Sequence, residues 1–315
     1  IVVNEAFEAE LLRLEPKRDP ITDTASFQNK YPRGRYLADD ALFDAAKVSF
    51  GTMGVLLSAV IDTRPAYRLE EDRDLRGLWK DFDHVIKQAR DEATAGVHLW
   101  VNPYRVGFDY RAVQSTYRRC HDMKRNERGW GIREADSPRT RKAMHCVAKR
   151  FPCLLPFALE FSLSTVDGND VVMPSWEALD FGNPNRLKVS AASCSLPADD
   201  TLRDRLAALL AHFKGGFGRH WVSSPIGLRW VKASDAPLAP QVGRDSVMIE
   251  VPVLNDTPNQ PETLEAYVQF MVEKLGGRPH WGQRFTLSDV QLRKIYGEDN
   301  VAKFIAARRV LDGIH

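Results

Sequence analysis

The turn that follows Pro279 carries two side chains suited to chemistry, His280 and Gln283, around Trp281 and Gly282. An imidazole can donate and accept hydrogen bonds near neutral pH, so His280 is a candidate to orient a bound ligand. The alternatives are a histidine held by hydrogen bonds in a structural role, and a turn that simply packs on a core. Gln283 can donate hydrogen bonds but cannot supply charge.

Several catalytic patterns do not occur in the sequence. There is no G-x-S-x-G turn and no P-loop, so hydrolase and nucleotide-kinase functions have no support. No His, Asp or Glu cluster has the spacing of metal ligands, and no metal site is predicted. The four cysteines form no CxxC pair, and we interpret them as reduced thiols of a cytoplasmic protein.

The composition is that of an ordinary globular protein. Of the 315 residues, 43% are hydrophobic and 27% are charged, and 44 basic against 42 acidic side chains give a net charge of +2. This length is typical of about two domains. The charge balance gives no indication of a nucleic-acid partner. The longest nearly apolar run, residues 55–61, is far too short to span a bilayer.

Residues 118–150 depart from this balance, because eleven Lys or Arg against four acids give this stretch a net charge of +7. A solvated insertion or a subunit contact is the interpretation that we favour. An anionic membrane surface is a possible partner that we do not favour, and the run lacks the interleaved aromatic residues of a single-strand nucleic-acid binder.

Apolar periodicity and turn residues predict an α+β fold on an antiparallel sheet. A Gly51 and Gly54 turn is expected to lead into a strand that ends at Pro65, and Val97, Leu99 and Val101 are expected to share one face of a strand. The other predicted elements are a hairpin over 1–15, strands over 156–166, 226–233 and 246–253, and helices over 40–50, 70–96 (with Gly77 as a candidate break), 199–214 and 261–275, with two short helices near the end.

Three blocks of sequence resemble one enzyme family. They are residues 42–69, with the G-x-x-G-V-[IL] pattern; Leu228 and Arg229 followed by residues 243–245; and the tail from Pro279 through Phe304 to Asp312. Taken in this order, they resemble the flavin-dependent sugar-alcohol and aldonolactone oxidases of the vanillyl-alcohol oxidase superfamily.

This resemblance implies a domain organisation. Residues 1–70 would form the C-terminal half of a PCMH-type FAD-binding domain, residues 71–275 an antiparallel-sheet substrate (cap) domain, and residues 276–315 a segment that returns to the flavin site. The family's glycine-rich N-terminal lobe has no counterpart here, and the sequence begins with Ile1 rather than Met. We therefore expect a truncated or processed piece that needs a complementary N-terminal FAD-binding lobe.

The resemblance also assigns roles to residues. It implies FAD as the cofactor, with Arg229 facing the flavin and a small-molecule substrate, and with Gln283 and His280 nearby. Tight helix-strand packing and a surface arginine are the respective alternatives for the glycine turn and for Arg229. The backbone positions implied to run alongside FAD are Gly51, Gly54, Val55 and Leu56.

Two departures from the family pattern affect the substrate. The acid expected two residues before Arg229 is Gly227, and the lysine expected after the tail's His-Trp-Gly is Gln283. The ion-pair functions of this acid and of this lysine are therefore both expected to vanish. The predicted function is an FAD-dependent oxidoreductase that removes hydride from the CH-OH group of an alcohol, sugar alcohol or lactone. The alternative is a non-catalytic binding or assembly subunit.

Overall fold

The computed structural model describes residues 2–3, 9–120, 138–164, 168–179 and 188–312. The chain divides into two compact units. A terminal unit comprises Ile1–Thr63, Ala233–Arg244 and Leu287–His315, and a sheet unit comprises Arg64–Lys232 and Asp245–Thr286.

Within the described residues the strands are β1 (Val2–Val3), β2 (Ala9–Glu10), β3 (Leu12–Glu15), β4 (Arg35–Ala38), β5 (Arg68–Gly77), β6 (Thr94–Val101), β7 (Arg111–Cys120), β8 (Gly168–Pro174), β9 (Val189–Pro197), β10 (Ile226–Val231), β11 (Ser246–Leu254) and β12 (Arg278–Pro279). The α-helices are α1 (Thr24–Lys30), α2 (Asp40–Ala46), α3 (Leu78–Arg90), α4 (Pro138–Arg150), α5 (Leu155–Ser164), α6 (Ser175–Ala178), α7 (Leu202–Gly215), α8 (Gln260–Leu275), α9 (Asp289–Tyr296) and α10 (Glu298–Asp312).

The sheet unit is built on eight antiparallel strands in the order β12-β9-β11-β10-β6-β7-β5-β8. On the central strand β10, Gly227 lies opposite Trp100 of β6 and Glu250 of β11, and Arg229 lies opposite His98. Because successive side chains point to opposite faces of a strand, these five residues share one face, which we call the polar face.

The opposite face of this sheet is apolar. Leu99, Leu228 and Ile249 pair across β6, β10 and β11, and each is fully buried. Helix α8 is tied to this sheet because the Tyr267 hydroxyl donates a hydrogen bond to the backbone oxygen of Ile249 at 2.6 Å. The α+β fold on an antiparallel sheet and the alternation predicted around Leu99 are confirmed.

The terminal unit joins the two ends of the chain. Helices α2 and α10 pack together around Ala45, Met53, Ala307 and Leu311. Strands β1 and β2 form the predicted antiparallel hairpin, although residues 4–8 lie outside the described residues. Strand β3 pairs in parallel with β4, a pairing that the sequence did not predict. Helix α9 begins after Ser288, whose side chain accepts a hydrogen bond from the backbone N-H of Gln291.

Two segments fold differently from the sequence prediction. The predicted helix over 70–96 is strand β5 up to Gly77 and helix α3 only from Leu78. The charges of β5 are accommodated because buried Glu71 and Arg73 pair with each other at 2.7 Å. The predicted strand over 156–166 is helix α5, with the buried residues Leu155, Leu159 and Leu163 at a spacing of four.

The strand predicted between Gly54 and Pro65 does not form either, and no described strand pairs with this segment. Its large apolar side chains are exposed rather than packed: Val55, Leu56, Leu57, Val60 and Ile61. A strand needs a partner for its backbone hydrogen bonds and a surface for its side chains. We call residues 55–61 the exposed apolar segment.

Candidate active site

The polar face carries a three-residue cluster, formed by Arg229, Glu250 and Gln283, which we call the Arg229 cluster. Arg229 Nη2 donates to Glu250 Oε2 at 3.0 Å, and Gln283 Nε2 donates to Glu250 Oε1 at 2.9 Å. The side chains of Arg229 and Glu250 are 37% and 25% exposed. The pair is therefore close enough to solvent to meet a ligand and sheltered enough to keep a fixed geometry.

Strand pairing brings the two distant parts of this cluster together. Arg229 and Glu250 come from neighbouring strands, whereas Gln283 belongs to the turn after β12. The backbone N-H of His280 donates a hydrogen bond to the backbone oxygen of Ser193 at 2.8 Å. The backbone N-H of Gln283 donates to the backbone oxygen of His280 at 3.2 Å. The turn is thereby held beside β9, with the Gln283 amide directed at the carboxylate.

Next to the cluster lies an aromatic pair, His98 and Trp100, whose ring centroids are 3.9 Å apart. Burial of His98, and secondarily the charge of Arg229, hold the pKa of its imidazole well below the usual value, so His98 is neutral at neutral pH. A side chain on Gly227 would place its Cβ 3.2 Å from His98 Nε2. Glycine at 227 therefore allows strand β10 to lie close against this ring.

His280 is exposed and is not part of the Arg229 cluster. Its Nδ1 accepts a hydrogen bond from the backbone N-H of Gly282 at 3.1 Å. This contact shapes the turn, as in the structural alternative weighed for this histidine. Its role in orienting a ligand stays a prediction.

The sequence expectation that both ion-pair functions vanish is wrong for Arg229. The carboxylate that residue 227 lacks is present on the adjacent strand at Glu250, directly opposite Gly227. Sequence reasoning missed Glu250. The signal was available, because in the predicted strand 246–253 alternation places Glu250 on the face opposite Ile249.

The glycine turn belongs to the terminal unit. Gly51 and Gly54 have positive φ angles of 72° and 101°, as expected of a tight turn. Val55 and Leu56 are 66% and 82% exposed. The contact of these four residues with a cofactor stays a prediction.

The hydrogen-bonding groups of the polar face fit the redox end of a flavin and a hydroxylated substrate. The guanidinium of Arg229 and the amide of Gln283 supply donors suited to oxygen atoms. Gln283 Oε1 is buried and accepts no hydrogen bond from the described residues. Buried acceptors normally have a donor, so the residues present fit a site that a further group completes.

Comparison with known proteins places these residues in a family context. Residues 59–313 match the family described as D-arabinono-1,4-lactone oxidase. The L-gulono-1,4-lactone dehydrogenase of Mycobacterium tuberculosis, in strains CDC 1551/Oshkosh and ATCC 25618/H37Rv, is 23% identical over 279 residues, which cover 87% of this chain and 60% of the relative.

Solved structures give a likeness of fold. A solvent-stable cholesterol oxidase has a TM-score of 0.62 at 13% identity, covering 87% of this chain and 62% of that one. A chitooligosaccharide oxidase has a TM-score of 0.48 at 14% identity, covering 86% and 58%. The chain therefore spans about three fifths of the length of the relatives it matches.

Proposed function

Because the chain belongs to the D-arabinono-1,4-lactone oxidase family, we propose that it forms part of an FAD-dependent oxidoreductase. The substrate is the CH-OH group of an alcohol, a sugar alcohol or a lactone, and L-gulono-1,4-lactone, named for the relatives, is the first to test. The observation that carries this proposal is the Arg229 cluster, which puts oxygen-binding donors on the polar face within the matched residues.

Bound FAD would supply the hydride acceptor for the C-H bond beside the hydroxyl. Arg229 would hold a substrate oxygen or balance negative charge at the redox end of the site, and Gln283 would add a second hydrogen-bond donor. His280 would orient the ligand from the neighbouring turn. In the terminal unit, backbone contacts to the cofactor would come from Gly51, Gly54, Val55 and Leu56.

We also propose that a complementary N-terminal FAD-binding lobe, encoded upstream or on another chain, completes the site. Two observations support it: the chain spans about three fifths of its relatives, and residues 55–61 expose Val55, Leu56 and Ile61. In this organisation residues 1–70 complete the FAD-binding domain, residues 71–275 form the cap, and residues 276–315 return to the flavin site.

The cysteines, the helices and the basic stretch bear on the location of the protein. Among the described residues Cys120, Cys146, Cys153 and Cys194 form no disulfide, which supports the proposed cytoplasmic location. No helix of the described residues is long and apolar enough to cross a membrane. About half of the basic stretch 118–150, residues 121–137, lies outside the described residues, and a membrane surface stays the less favoured partner.

Flavin uptake tests the proposal. The purified protein is mixed with FAD, alone and with the FAD-binding lobe, and the visible absorbance band of protein-bound oxidised flavin is recorded after gel filtration. We expect a band that L-gulono-1,4-lactone or another neutral hydroxyl compound bleaches without oxygen. A colourless complex in both mixtures would support the non-catalytic assembly subunit, which the exposed apolar segment also favours.

A further inference from the structure

The two oxygens of Glu250 are each engaged by a different donor. Oε2 accepts from the Arg229 guanidinium and Oε1 from the Gln283 amide, at 3.0 and 2.9 Å. Glu250 is therefore the residue that joins the two halves of the Arg229 cluster. Its negative charge balances the positive charge of Arg229, whereas the Gln283 amide adds a hydrogen bond and no charge.

The position of this carboxylate follows from the strand register. Gly227 lies directly opposite Glu250, and the Cβ of any other residue at 227 would lie 3.2 Å from His98 Nε2. The space beside the His98 ring therefore favours glycine on β10. The carboxylate that balances Arg229 comes instead from Glu250 on β11.

A guanidinium without such a partner is a strong ligand for carboxylates, because its paired N-H groups match both oxygens. Here one oxygen of Glu250, Oε2, already accepts a hydrogen bond from Arg229 Nη2, and its negative charge balances the guanidinium. A second carboxylate at the same place would compete for the N-H groups and be repelled by Glu250. An uncharged hydroxyl compound is not repelled by Glu250 and does not compete with its carboxylate as a second anion would.

We propose that Glu250 is a specificity-determining residue that cancels the charge of Arg229 and restricts the polar face to uncharged hydroxyl-bearing substrates. Sugar alcohols and lactones are accepted, and hydroxy acids are rejected. The inference rests on the proposed function for the identity of the substrate, whereas the charge balance between Glu250 and Arg229 stands on the geometry alone.

The test compares two probes that differ in charge, D-glucitol and D-gluconate. Their affinities for the full chain are measured by ligand-observed NMR titration, with FAD present when the protein holds it. In Glu250→Gln, which keeps an oxygen acceptor but loses the charge, gluconate should gain at least tenfold over glucitol relative to the wild type, about 1.4 kcal/mol. Salt should reduce the gain, because the pair is partly exposed.

Two further variants complete the test. Glu265→Gln is the matched control, since Glu265 also accepts hydrogen bonds from an amide and a hydroxyl, on Gln269 and Thr286, away from the Arg229 cluster. Its probe ratio should equal that of the wild type. Arg229→Gln leaves Glu250 without its balancing cation and should lower the affinity for gluconate relative to glucitol. If Glu250→Gln does not fold, this variant tests the charge balance in its place, and an unchanged probe ratio in Arg229→Gln would overturn the assignment.

An unchanged probe ratio in folded Glu250→Gln, or an equal shift in Glu265→Gln, would overturn the assignment. The proposed function fails separately. Charge selection in a protein that never takes up flavin would refute the oxidoreductase and leave Glu250 as the selecting residue. Flavin reduction by hydroxyl substrates, with no change of the gluconate-to-glucitol ratio in Glu250→Gln, would support the oxidoreductase and refute the role of Glu250.

Discussion

Replacement of Arg229 by methionine removes the one cation of the Arg229 cluster while keeping a side chain of similar length. In the wild type the guanidinium lies 3.0 Å from Glu250, and its side chain is 37% exposed. Arg229→Met would therefore take away both the donor offered to a substrate oxygen and the charge that balances the carboxylate.

The expected size of the effect follows from this geometry. A hydrogen bond to a charged group contributes about 1.5–3 kcal/mol, and partial exposure of Arg229 argues for the lower part of that range. Since about 1.4 kcal/mol is a tenfold change in rate, turnover should fall by a factor of about ten or more. The free energy of unfolding should change much less, because neither charge of the pair is deeply buried.

The assay is steady-state oxidation of the best hydroxyl substrate by flavin-loaded protein, with bound flavin measured in the same samples. The control is Lys232→Met. The Lys232 side chain is 90% exposed, follows directly after strand β10 and pairs with Asp245 at the surface. Lys232→Met should keep wild-type turnover. Unchanged turnover and flavin content in Arg229→Met would refute the role given to Arg229.

Other consequences can be measured on the folded chain. Glu71→Ala removes the buried partner of Arg73 and should cost about 3 kcal/mol in urea unfolding, and a loss below about 1 kcal/mol would contradict that burial. Burial alone would raise the pKa of Glu15, but hydrogen bonds from its neighbours lower it from 4.5 to about 2. The contribution of Glu15 to the free energy of unfolding should be complete above pH 4.5 and be lost as the pH falls through about 2. If the difference in urea midpoint between the wild type and Glu15→Gln stays constant across that window, this prediction is wrong. Leu56→Asp combined with Ile61→Asp should leave the unfolding free energy within about 0.5 kcal/mol, since both side chains are largely exposed, yet abolish calorimetric binding to the FAD-binding lobe. Undiminished binding would show that the exposed apolar segment does not contact the FAD-binding lobe.

The sequence predicted the parts of the fold that depend on a clear local period. Strands β6, β10 and β11 alternate between apolar and polar residues, and helices α7 and α8 have buried faces such as Leu206 and Leu264. These elements carry the sheet and hence the polar face. Arg229 and Gln283 could be named in advance, but their meeting at Glu250 could not, because it depends on the register of β10 against β11.

The failures of prediction arise where tertiary partners override local pattern. Strand β5 is rich in charge, and it is a strand because β7 and β8 pair with it on both sides and Glu71 neutralises Arg73. Residues 55–61 have a strand-like composition, and no described strand is available to pair with them. For β5 the deciding partners are distant in the sequence, so the local pattern does not reveal them.

We propose that the polar face of the sheet unit is the substrate side of a flavin site. Anaerobic single-turnover reduction of protein-bound FAD, followed by the loss of its visible absorbance after addition of a neutral hydroxyl substrate, tests this most directly. We expect bleaching in the wild type and in Lys232→Met, with a rate at least about tenfold lower in Arg229→Met. Bleaching at one common rate in all three proteins would contradict it.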